Sequence, residues 1–241
     1  AMQYTLMVNG LPGKMAEAVI EAAQSRGITV QPFSLTGDQT VEKSIKVGNQ
    51  DIRLVKPSER NDVVDQMLKL SNNVIAIDYT HPTAVNQNAE FYTAKKIAFV
   101  MGTTGGDRVA LKKLTDSSES SSVIAPNMGK QIVALQFMLE EMANNFPDMY
   151  KGYSLEVREA HQSHKADTSG TAKAIVTSFN KMGIEFAIEE IQKLRTEKEQ
   201  LDFEVPKEYL SGHAFHTYTL RSPDKTVAFE FKHNVCGRKF Y

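Results

Sequence analysis

Residues 6–20 have the sequence LMVNGLPGKMAEAVI, in which a short apolar run is followed by a glycine-containing loop and then a helical pattern. The apolar run at residues 6–8 is typical of a short buried strand. Apolar side chains then recur at Met15 and Val19, which is the spacing of one helix face. The segment therefore predicts a strand, a tight glycine turn and a helix in direct succession.

The same alternation of short apolar runs and helical patterns continues through the first half of the chain. Strands alternating with helices predict a parallel, doubly wound sheet of the Rossmann type, because consecutive parallel strands need helical crossovers. Residues 41–55 are polar and alternating, which indicates a hairpin or a pair of short strands. The predicted strands cover residues 28–35, 74–78, 97–101 and 123–125, and the predicted helices include 63–70 (the stripe Val63, Met67 and Leu70), 84–95 and 109–114.

The pattern changes after Pro126, so we predict a dinucleotide-binding domain over residues 1–127 and a second domain over 128–235. The segment Ser222-Pro223-Asp224-Lys225 lies between two alternating runs and is typical of a hairpin turn. The second domain is therefore predicted to be α+β, with a largely antiparallel sheet. Its predicted elements are a helix at 132–142, a strand at 153–159, a helix at 172–182, an amphipathic segment at 188–201 and strands at 214–220 and 227–235.

Composition excludes several classes of protein. The chain has 241 residues, of which 41% are hydrophobic and 24% charged, and this balance is typical of a folded protein rather than a disordered one. The formal net charge of −1 provides no overall attraction to nucleic acid or to an anionic membrane. We therefore expect neither as a partner.

Cysteine content and hydropathy favour a cytoplasmic protein. Cys236 is the single cysteine, so the chain can form neither an intrachain disulfide nor a cysteine-based zinc cage. No apolar run approaches the roughly 20 residues that span a bilayer. The N-terminal residues lack a basic region followed by an apolar stretch, so we expect no secretory signal.

Three loops at the carboxyl ends of predicted parallel strands are candidates for binding a dinucleotide. Ligands of this architecture bind at that edge, where backbone N–H groups and a helix N-terminus attract a pyrophosphate. A tight turn or a helix cap is the alternative interpretation of each loop, and the first is not a complete G-x-G-x-x-G. The candidate residues are Gly10, Leu11, Pro12, Gly13, Lys14 and Met15 in the first loop, Gly102, Thr103 and Thr104 in the second, and Ala125, Pro126, Asn127 and Met128 in the third.

The end of the second predicted strand bears on the choice of cofactor. An acidic residue at this point binds the ribose 2′-hydroxyl of NAD. Residues 33–36 are Phe-Ser-Leu-Thr, and Asp38 lies too late in the chain. No carboxylate is placed to repel a 2′-phosphate, but no arginine is placed to hold one either, so the sequence mildly favours NADPH, with NADH as the other candidate.

The densest polar cluster is residues 159–171, which follow a predicted strand and open a predicted helix. Hydroxyl and N–H groups at a helix start form an anion site, and Ser169, Gly170 and Thr171 occupy this position. The alternative is a simple helix cap. His161 and Lys165 add the groups needed for a proton transfer to or from an anionic substrate.

A zinc site and a solvated turn are the competing interpretations of this cluster. The zinc ligands would be His161, His164 and Asp167, but a strand running into a loop does not converge them, and the adjacent lysine would repel a cation. We therefore predict no metal. His213 and His216 lie three apart on a predicted strand and should face opposite sides, so structural or surface roles are expected for them.

The run EAHQSHKADTSGTAKAI at residues 159–175 resembles the signature of the dihydrodipicolinate reductase family, also called 4-hydroxy-tetrahydrodipicolinate reductases. The bacterial form is E-x-H-H-x-x-K-x-D-A-P-S-G-T-A. Here Gln162 replaces the second histidine and the proline is absent, and both departures resemble the plant-type branch. Further matching motifs are VNGLPGKM (8–15), AIDYTHPTAV (76–85), VMGTTGGDR (100–108), APNMGKQ (125–131) and GYSLEV (152–157).

The resemblance implies a reaction and a set of roles. A nicotinamide hydride would reduce a cyclic, conjugated imine dicarboxylate to tetrahydrodipicolinate in the diaminopimelate route to lysine. Lys165 matches the family's proton donor and His161 its catalytic histidine. Gln162, Ser169, Gly170 and Thr171 match substrate-binding positions, and the three loops match cofactor positions.

The resemblance also implies an assembly and a location. It suggests a homo-oligomer, either a dimer or a tetramer, assembled through the second domain, with residues 236–241 returning to the first domain. A plastid stroma is the alternative to the cytoplasm. The other functions compatible with the sequence are a different Rossmann-type oxidoreductase acting on a small anionic substrate and a dinucleotide-binding sensor without catalysis.

Overall fold

The computed structural model describes residues 4–71, 73–237 and 240. The chain forms two compact units that meet in sequence between Pro126 and Asn127. The sequence-based boundary lies within one residue of this point. Each unit has its own sheet, helices and hydrophobic core.

The first unit alternates strands and helices. Its elements are β1 (Thr5–Asn9), α1 (Lys14–Ser25), β2 (Phe33–Leu35), β3 (Ser44–Val47), β4 (Gln50–Val55), α2 (Arg60–Leu70), β5 (Val74–Asp78), α3 (Val85–Ala94), β6 (Ala98–Met101), α4 (Arg108–Asp116) and β7 (Ser122–Ile124).

The main sheet of this unit is parallel, in the order β1-β5-β6-β7, which confirms the predicted Rossmann-like architecture. A smaller sheet has the order β2-β4-β3, in which β3 and β4 form the predicted hairpin. An isolated parallel bridge between Leu6 and Val30 links the two sheets. The second strand is shorter than predicted because Pro32, which has no N–H to donate, separates Val30 from the ladder at Phe33–Leu35.

Two apolar clusters, one on each face of the parallel sheet, build the core of the first unit. Met7, Ala76 and Phe99 pack from three neighbouring strands against Tyr92 of α3 and Leu111 of α4. All are at most 2% exposed, as expected for a sheet covered by helices. The carboxyl ends of the four parallel strands therefore lie along one edge, where the three candidate loops begin.

One predicted core position in this unit is wrong. In α2, Val64 and Met67 are buried, whereas Leu70 is 91% exposed. The helix ends at Leu70, so this side chain extends beyond the last turn that packs on the sheet.

The second unit consists of a four-stranded mixed sheet covered on one face by two long helices. The sheet order is β11-β10-β8-β9, antiparallel except for the parallel pair β8 and β9. Its elements are α5 (Lys130–Asn145), β8 (Ser154–His161), α6 (Gly170–Lys181), β9 (Gln192–Leu194), α7 (Glu197–Asp202), β10 (His213–Arg221) and β11 (Ala228–Cys236).

Helices α5 and α6 pack on the sheet through a shared apolar cluster. Phe179 of α6 is fully buried against Tyr218 of β10, with ring centroids 6.2 Å apart, and against Phe231 of β11 at 5.8 Å. Leu139 of α5 belongs to the same cluster. This packing fixes the position of the start of α6, where the candidate anion turn lies.

The predicted amphipathic segment at 188–201 is instead three short pieces: a 3₁₀ turn at Ile188–Glu190, strand β9 and helix α7. The break has a local cause, because Thr196 and Glu199 form a capping box that starts α7. Strand β9 pairs with β8 in parallel, which periodicity along a short sequence does not reveal.

The expected return of residues 236–241 to the first domain differs from the observed grouping. Cys236 is the last residue of β11 and pairs with His213 of β10, and Gly237 and Phe240 also belong to the second unit. Strand pairing therefore holds the start of this segment beside β10. Residues 238, 239 and 241 lie outside the described residues.

A further structural finding concerns membranes. Among the residues that the structure describes, no helix combines the length and the apolar character needed to cross a bilayer.

Candidate active site

The glycine turn after β1 has a backbone that only glycine adopts readily. Gly10 has φ of +116°, and a Cβ added there would lie 1.9 Å from the carbonyl oxygen of Tyr79. Helix α1 starts at Lys14, preceded by Gly13, which has no side chain to cap it. The first-turn N–H groups of α1 have no acceptor within the helix, so they are available to an anion such as a pyrophosphate.

The other residues of this loop have different functions in the structure. Leu11 is 1% exposed, and its N–H donates to Ser34 Oγ at 3.2 Å, so this residue anchors the loop to the core. Pro12 has no N–H to offer. Lys14 forms an exposed ion pair with Glu17, whereas Met15 is half-buried.

A buried carboxylate, which the sequence did not single out as functional, organises the edge of the first unit. Asp78 at the end of β5 is 0% exposed. It accepts hydrogen bonds from the hydroxyls of Tyr92 and Thr103, both at 2.6 Å, from Thr80 Oγ1 at 2.8 Å, and from Asn88 Nδ2 at 3.0 Å. Burial and the adjacent carboxylate hold the pKa of Tyr92 well above its usual range, so the phenol keeps the proton that it donates.

This network links the first two candidate loops. Asn9, just before the glycine turn, donates to Tyr92 Oη at 2.9 Å, and Thr103 of the second loop bonds Asp78. Gly102 packs on the ring of Tyr79, where an added Cβ would lie 2.2 Å from the nearest ring atom. Thr104 is exposed next to the buried Thr103.

A second buried carboxylate, Glu159 near the end of β8, organises the candidate site of the second unit. It is 0% exposed and pairs with the guanidinium of Arg195. The backbone N–H of Ser169 donates to it at 3.1 Å, and His216 Nε2 lies 3.7 Å from its Oε2. Burial alone would raise the pKa of Glu159, but His216 and Arg195 outweigh it and lower the pKa to about 2.

Arg195 connects the loop after β8 to this carboxylate, although no sequence pattern marks it as a site residue. Its Nε donates to the Lys165 carbonyl at 2.7 Å, its Nη1 to the Glu159 carbonyl at 3.1 Å and its Nη2 to the Asp167 carbonyl at 3.2 Å. One guanidinium therefore holds two positions of the loop, Lys165 and Asp167, against the end of β8. Gln200 of α7 adds a bond to the His161 carbonyl at 2.7 Å.

Three histidines gather on the same face of the sheet. His216 of β10 lies opposite Glu159 in the register of β8 and opposite His233 in that of β11. His161 Nε2 and His216 Nε2 are 3.2 Å apart, and the rings of His216 and His233 stack at 4.5 Å. The expectation of a structural or surface role for His216 is therefore incomplete, because its buried ring contacts the candidate catalytic histidine.

His213 faces the opposite side of the sheet, as predicted, and its Nδ1 lies 2.9 Å from the Tyr209 carbonyl oxygen.

The predicted anion turn opens α6. Ser169 is the N-cap residue, and its Oγ accepts from the Ala172 N–H at 3.5 Å. Asn127 Nδ2 donates to Thr171 Oγ1 at 3.0 Å, so one predicted cofactor residue meets one predicted substrate residue inside the second unit. A Cβ added at Gly170 would meet no heavy atom of the described residues within 4 Å, so the protein itself leaves space at this glycine.

Lys165 lies in the loop between β8 and α6. Its Nζ forms an ion pair with Asp167 at 2.7 Å, and its side chain is 25% exposed. This contact lowers the pKa of Asp167. The carbonyl of Gln162 accepts from the Lys165 N–H at 2.9 Å, which closes a turn.

The alternative zinc set is not brought together, because His164 and Asp167 are exposed in the loop while His161 is buried. A different group has the geometry of a metal site: the ligand atoms of Glu159, His161 and His216 lie within 4.8 Å of one another. The electrostatics of this group disfavour cation binding, because the guanidinium of Arg195 already places a positive charge against Glu159.

A parallel dinucleotide-type sheet, joined in sequence to a second unit with a buried Glu–Arg pair and a hydroxyl-bearing helix start, is the plan of a Rossmann-type oxidoreductase. Two family models match: "Dihydrodipicolinate reductase, N-terminus" over residues 4–128 and "Dihydrodipicolinate reductase, C-terminus" over residues 131–241. The chain belongs to the dihydrodipicolinate reductase family. It is therefore an oxidoreductase of lysine biosynthesis whose N-terminal unit binds a nicotinamide cofactor.

Individual relatives agree with this assignment and with the resemblance to the plant-type branch. The chain is 47% identical to "4-hydroxy-tetrahydrodipicolinate reductase 2, chloroplastic" of Arabidopsis thaliana, over 98% of this chain and 68% of that protein. A probable reductase of the same description from Oryza sativa subsp. japonica is 45% identical, over 99% of this chain and 74% of that protein.

A solved structure supports the fold. The dipicolinate-bound dihydrodipicolinate reductase from Paenisporosarcina superposes with a TM-score of 0.64, over 97% of this chain and 88% of that one. Sequence identity to it is 16%, so this likeness concerns the fold alone.

The buried histidines predict that the protein loses stability in mild acid. Burial, reinforced by His216, lowers the pKa of both His161 and His233 to about 3, from an ordinary value of 6.5. Below pH 6.5 the unfolded chain takes up protons that the folded chain does not, so the free energy of unfolding decreases as pH falls towards 3. Glu159, with a pKa lowered from 4.5 to about 2, adds a second loss only below 4.5.

Urea unfolding of the full chain, followed by circular dichroism at pH 7 and pH 5, measures this effect. We expect a lower midpoint at pH 5, and a smaller difference between the two pH values in His233→Phe. The exposed His164 provides the control, because His164→Ala should leave the difference unchanged. Equal midpoints at both pH values would contradict the neutral, buried state of these rings.

Proposed function

We propose that the chain reduces 4-hydroxy-tetrahydrodipicolinate, or dihydrodipicolinate derived from it, to tetrahydrodipicolinate, and that Lys165 supplies the proton. Reduced nicotinamide, when bound, supplies the hydride. 4-Hydroxy-tetrahydrodipicolinate would first lose its hydroxyl group as water, which gives dihydrodipicolinate with a conjugated carbon–carbon double bond. One hydride and one proton would then add across that double bond, so the products are tetrahydrodipicolinate, oxidised nicotinamide and water. The observation that carries the proposal is the segment held by Arg195. In this segment His161, Lys165 and the anion turn follow one another within eleven residues.

The anion turn supports a dicarboxylate substrate. Ser169, Gly170 and Thr171 place two hydroxyls and first-turn N–H groups at the start of a 12-residue helix, where the helix dipole also favours a carboxylate. The open space over Gly170 is suited to a ligand. The relative from Paenisporosarcina was solved with dipicolinate, a planar ring dicarboxylate, which is consistent with this substrate class.

Lys165 is the proposed acid because it carries a transferable proton and lies four residues before that turn in the chain. Hydride addition to the ring leaves negative charge on the adjacent carbon, and an ammonium within reach neutralises it by proton transfer. The ion pair with Asp167 holds Nζ in the free protein, and Asp167 is 76% exposed. His161 and Gln162 are the proposed neighbours that orient the substrate.

We propose NADPH as the preferred cofactor, with NADH as the second choice. Gly10 to Met15 would lie at the pyrophosphate through the first turn of α1. Thr103, Thr104 and residues 125–128 would lie nearer the nicotinamide. Residues 33–36, which form β2 and its end, contain no carboxylate, and Thr36 Oγ1 lies 2.6 Å from Thr40 Oγ1. A 2′-phosphate placed against residues 33–36 would meet no repelling charge from them; Asp38 follows two residues later.

Assembly and location follow the family expectation. We propose a homo-oligomer, a dimer or a tetramer, formed through the second unit. The plant relatives are named chloroplastic, so a plastid stroma is one proposed location and a cytoplasm the other.

A coupled assay tests the reaction and the role of Lys165 together. Enzymatically generated substrate should drive loss of nicotinamide absorbance with NADPH and, less efficiently, with NADH. Lys165→Ala should lower kcat by about 100-fold or more while the Kd for NADPH stays within about twofold, because general acid catalysis contributes on this scale. Lys181→Ala, an exposed change at the far end of α6, should match the parent protein. Parallel losses of kcat and NADPH affinity in Lys165→Ala would contradict the proposed division of roles.

The open space at Gly170 gives a sharper test of the substrate site. Gly170→Ala should fold normally, because the methyl group meets no protein atom and alanine favours a helix. It should nevertheless raise the KM for the dicarboxylate by roughly tenfold, about 1.4 kcal/mol of binding free energy, because the methyl group occupies ligand space. Thermal stability and NADPH affinity are measured alongside as controls. An unchanged KM would argue against a carboxylate at this turn.

A further inference from the structure

The contact between His161 and His216 limits where their protons can be. The two Nε2 atoms are 3.2 Å apart and the rings meet edge to face, with centroids 5.0 Å apart. His161 is 9% exposed and His216 is 2% exposed, so water has little access between them. Two nitrogen lone pairs facing each other at this distance would repel. A hydrogen bond therefore requires a single proton between the two nitrogens.

Two arrangements satisfy that requirement, and they differ in which ring donates. Either His216 Nε2–H donates to His161 Nε2, or His161 Nε2–H donates to His216 Nε2. Burial and the neighbouring His216 lower the pKa of His161 to about 3, so His161 is neutral near pH 7 and carries its single proton on one nitrogen only. The position of that proton decides whether His161 faces its surroundings with an N–H donor or with a lone pair.

Glu159 selects between the arrangements. Its Oε2 lies 3.7 Å from His216 Nε2, on the same face of the sheet. An N–H on this nitrogen is attracted by the carboxylate, whereas a lone pair is repelled by it. Arg195 and the Ser169 N–H hold Glu159 in place, so the carboxylate cannot turn away from His216 without breaking those bonds.

We propose that His216 is a positioning residue which donates its Nε2–H to His161 and thereby fixes His161 as the Nδ1–H tautomer. His161 then presents a hydrogen-bond donor, not an acceptor, to the substrate. The assignment of the tautomer stands on the geometry of the free protein. The consequence for catalysis rests on the proposed reductase function.

This role differs from general packing of a buried ring. Among the described residues, none forms a hydrogen bond with His216 Nδ1, so the polar contacts of this ring are concentrated on Nε2. His233 stacks on the other side of His216, and its Nε2 lies 3.2 Å from Tyr218 Oη. The stack holds the plane of His216, and Glu159 orients its proton.

Nitrogen-15 NMR of histidine-labelled full-length protein tests the tautomer directly, without substrate. We expect His161 in the parent protein to show a protonated Nδ1 and an unprotonated Nε2 at pH 7. His216→Leu should shift His161 towards the Nε2–H form that an unconstrained neutral histidine side chain favours. His216→Gln, whose amide N–H takes the place of the donor, should retain the Nδ1–H form. A protonated Nε2 on His161 in the parent protein would overturn the proposal.

Steady-state kinetics provide the second measurement. His216→Leu should lower kcat by roughly 10- to 100-fold with the KM for NADPH unchanged, and His216→Gln should recover most of that loss, because a lost orienting hydrogen bond costs on this scale. His213→Leu removes a buried histidine from the opposite face of the same strand and should change neither kcat nor the His161 spectrum. Equal losses of kcat in His216→Leu and His216→Gln would overturn the donor role.

The two measurements separate this inference from the proposed function. An Nδ1–H signal from His161 in a protein that does not oxidise NADPH would reject the reductase proposal and leave the tautomer assignment intact. Should His216→Leu fail to fold, the parent spectrum and the His216→Gln variant still decide the question.

Discussion

The candidate site depends on a carboxylate that has been removed from water. Burying Glu159 is unfavourable unless charges and hydrogen bonds replace the lost hydration. Arg195, the N–H of Ser169 and the nearby His216 provide these, and they come from three separate parts of the chain. Because each partner is needed to keep the carboxylate buried, the same interactions fix the loop, the helix start and the histidine pair relative to one another.

In the first unit a buried carboxylate also holds several loops together, but its hydrogen-bond donors are uncharged. Asp78 is equally buried, but its donors are the neutral hydroxyls of Tyr92, Thr80 and Thr103 and the amide of Asn88. A carboxylate at a strand end can bind several short side chains at once, so one residue aligns several loops. Both units therefore place their candidate ligand-binding loops around a single buried acid. The acids differ in that only Glu159 is paired with a guanidinium.

Sequence patterns predicted the architecture well because the features that define it are encoded by residues that are neighbours in the chain. The alternation of strands and helices, the glycine turn at Gly10 and the helix start at Ser169 are each encoded by residues within a window of about ten positions. The errors occur where local patterns stop being informative. Leu70 has the spacing of a core residue but extends past the last packed turn, and the apolar residues at 188–201 serve a parallel strand and a short helix instead of one long segment.

The missed site residues share a different property: their partners are distant in sequence. Arg195 meets Glu159 across 36 residues, and His216 meets His161 across 55. Strand register creates these contacts, and a single sequence does not reveal register. His161 and Lys165 could be selected because they lie beside the anion turn in the chain and match the family signature, whereas the groups that hold them in place could not.

We propose that the buried Glu159 carboxylate keeps the start of α6 competent to bind a ring dicarboxylate. Calorimetric titration of dipicolinate into the NADPH-bound protein, compared between the parent and Glu159→Gln, measures this dependence. Glu156→Gln, on the exposed face of the same strand, is the matched control. We expect Glu159→Gln, while retaining its folded circular dichroism spectrum, to bind dipicolinate at least about tenfold more weakly, roughly 1.4 kcal/mol, and Glu156→Gln to bind it normally. Equal affinity in the parent protein and folded Glu159→Gln would show that the buried carboxylate is not needed for binding.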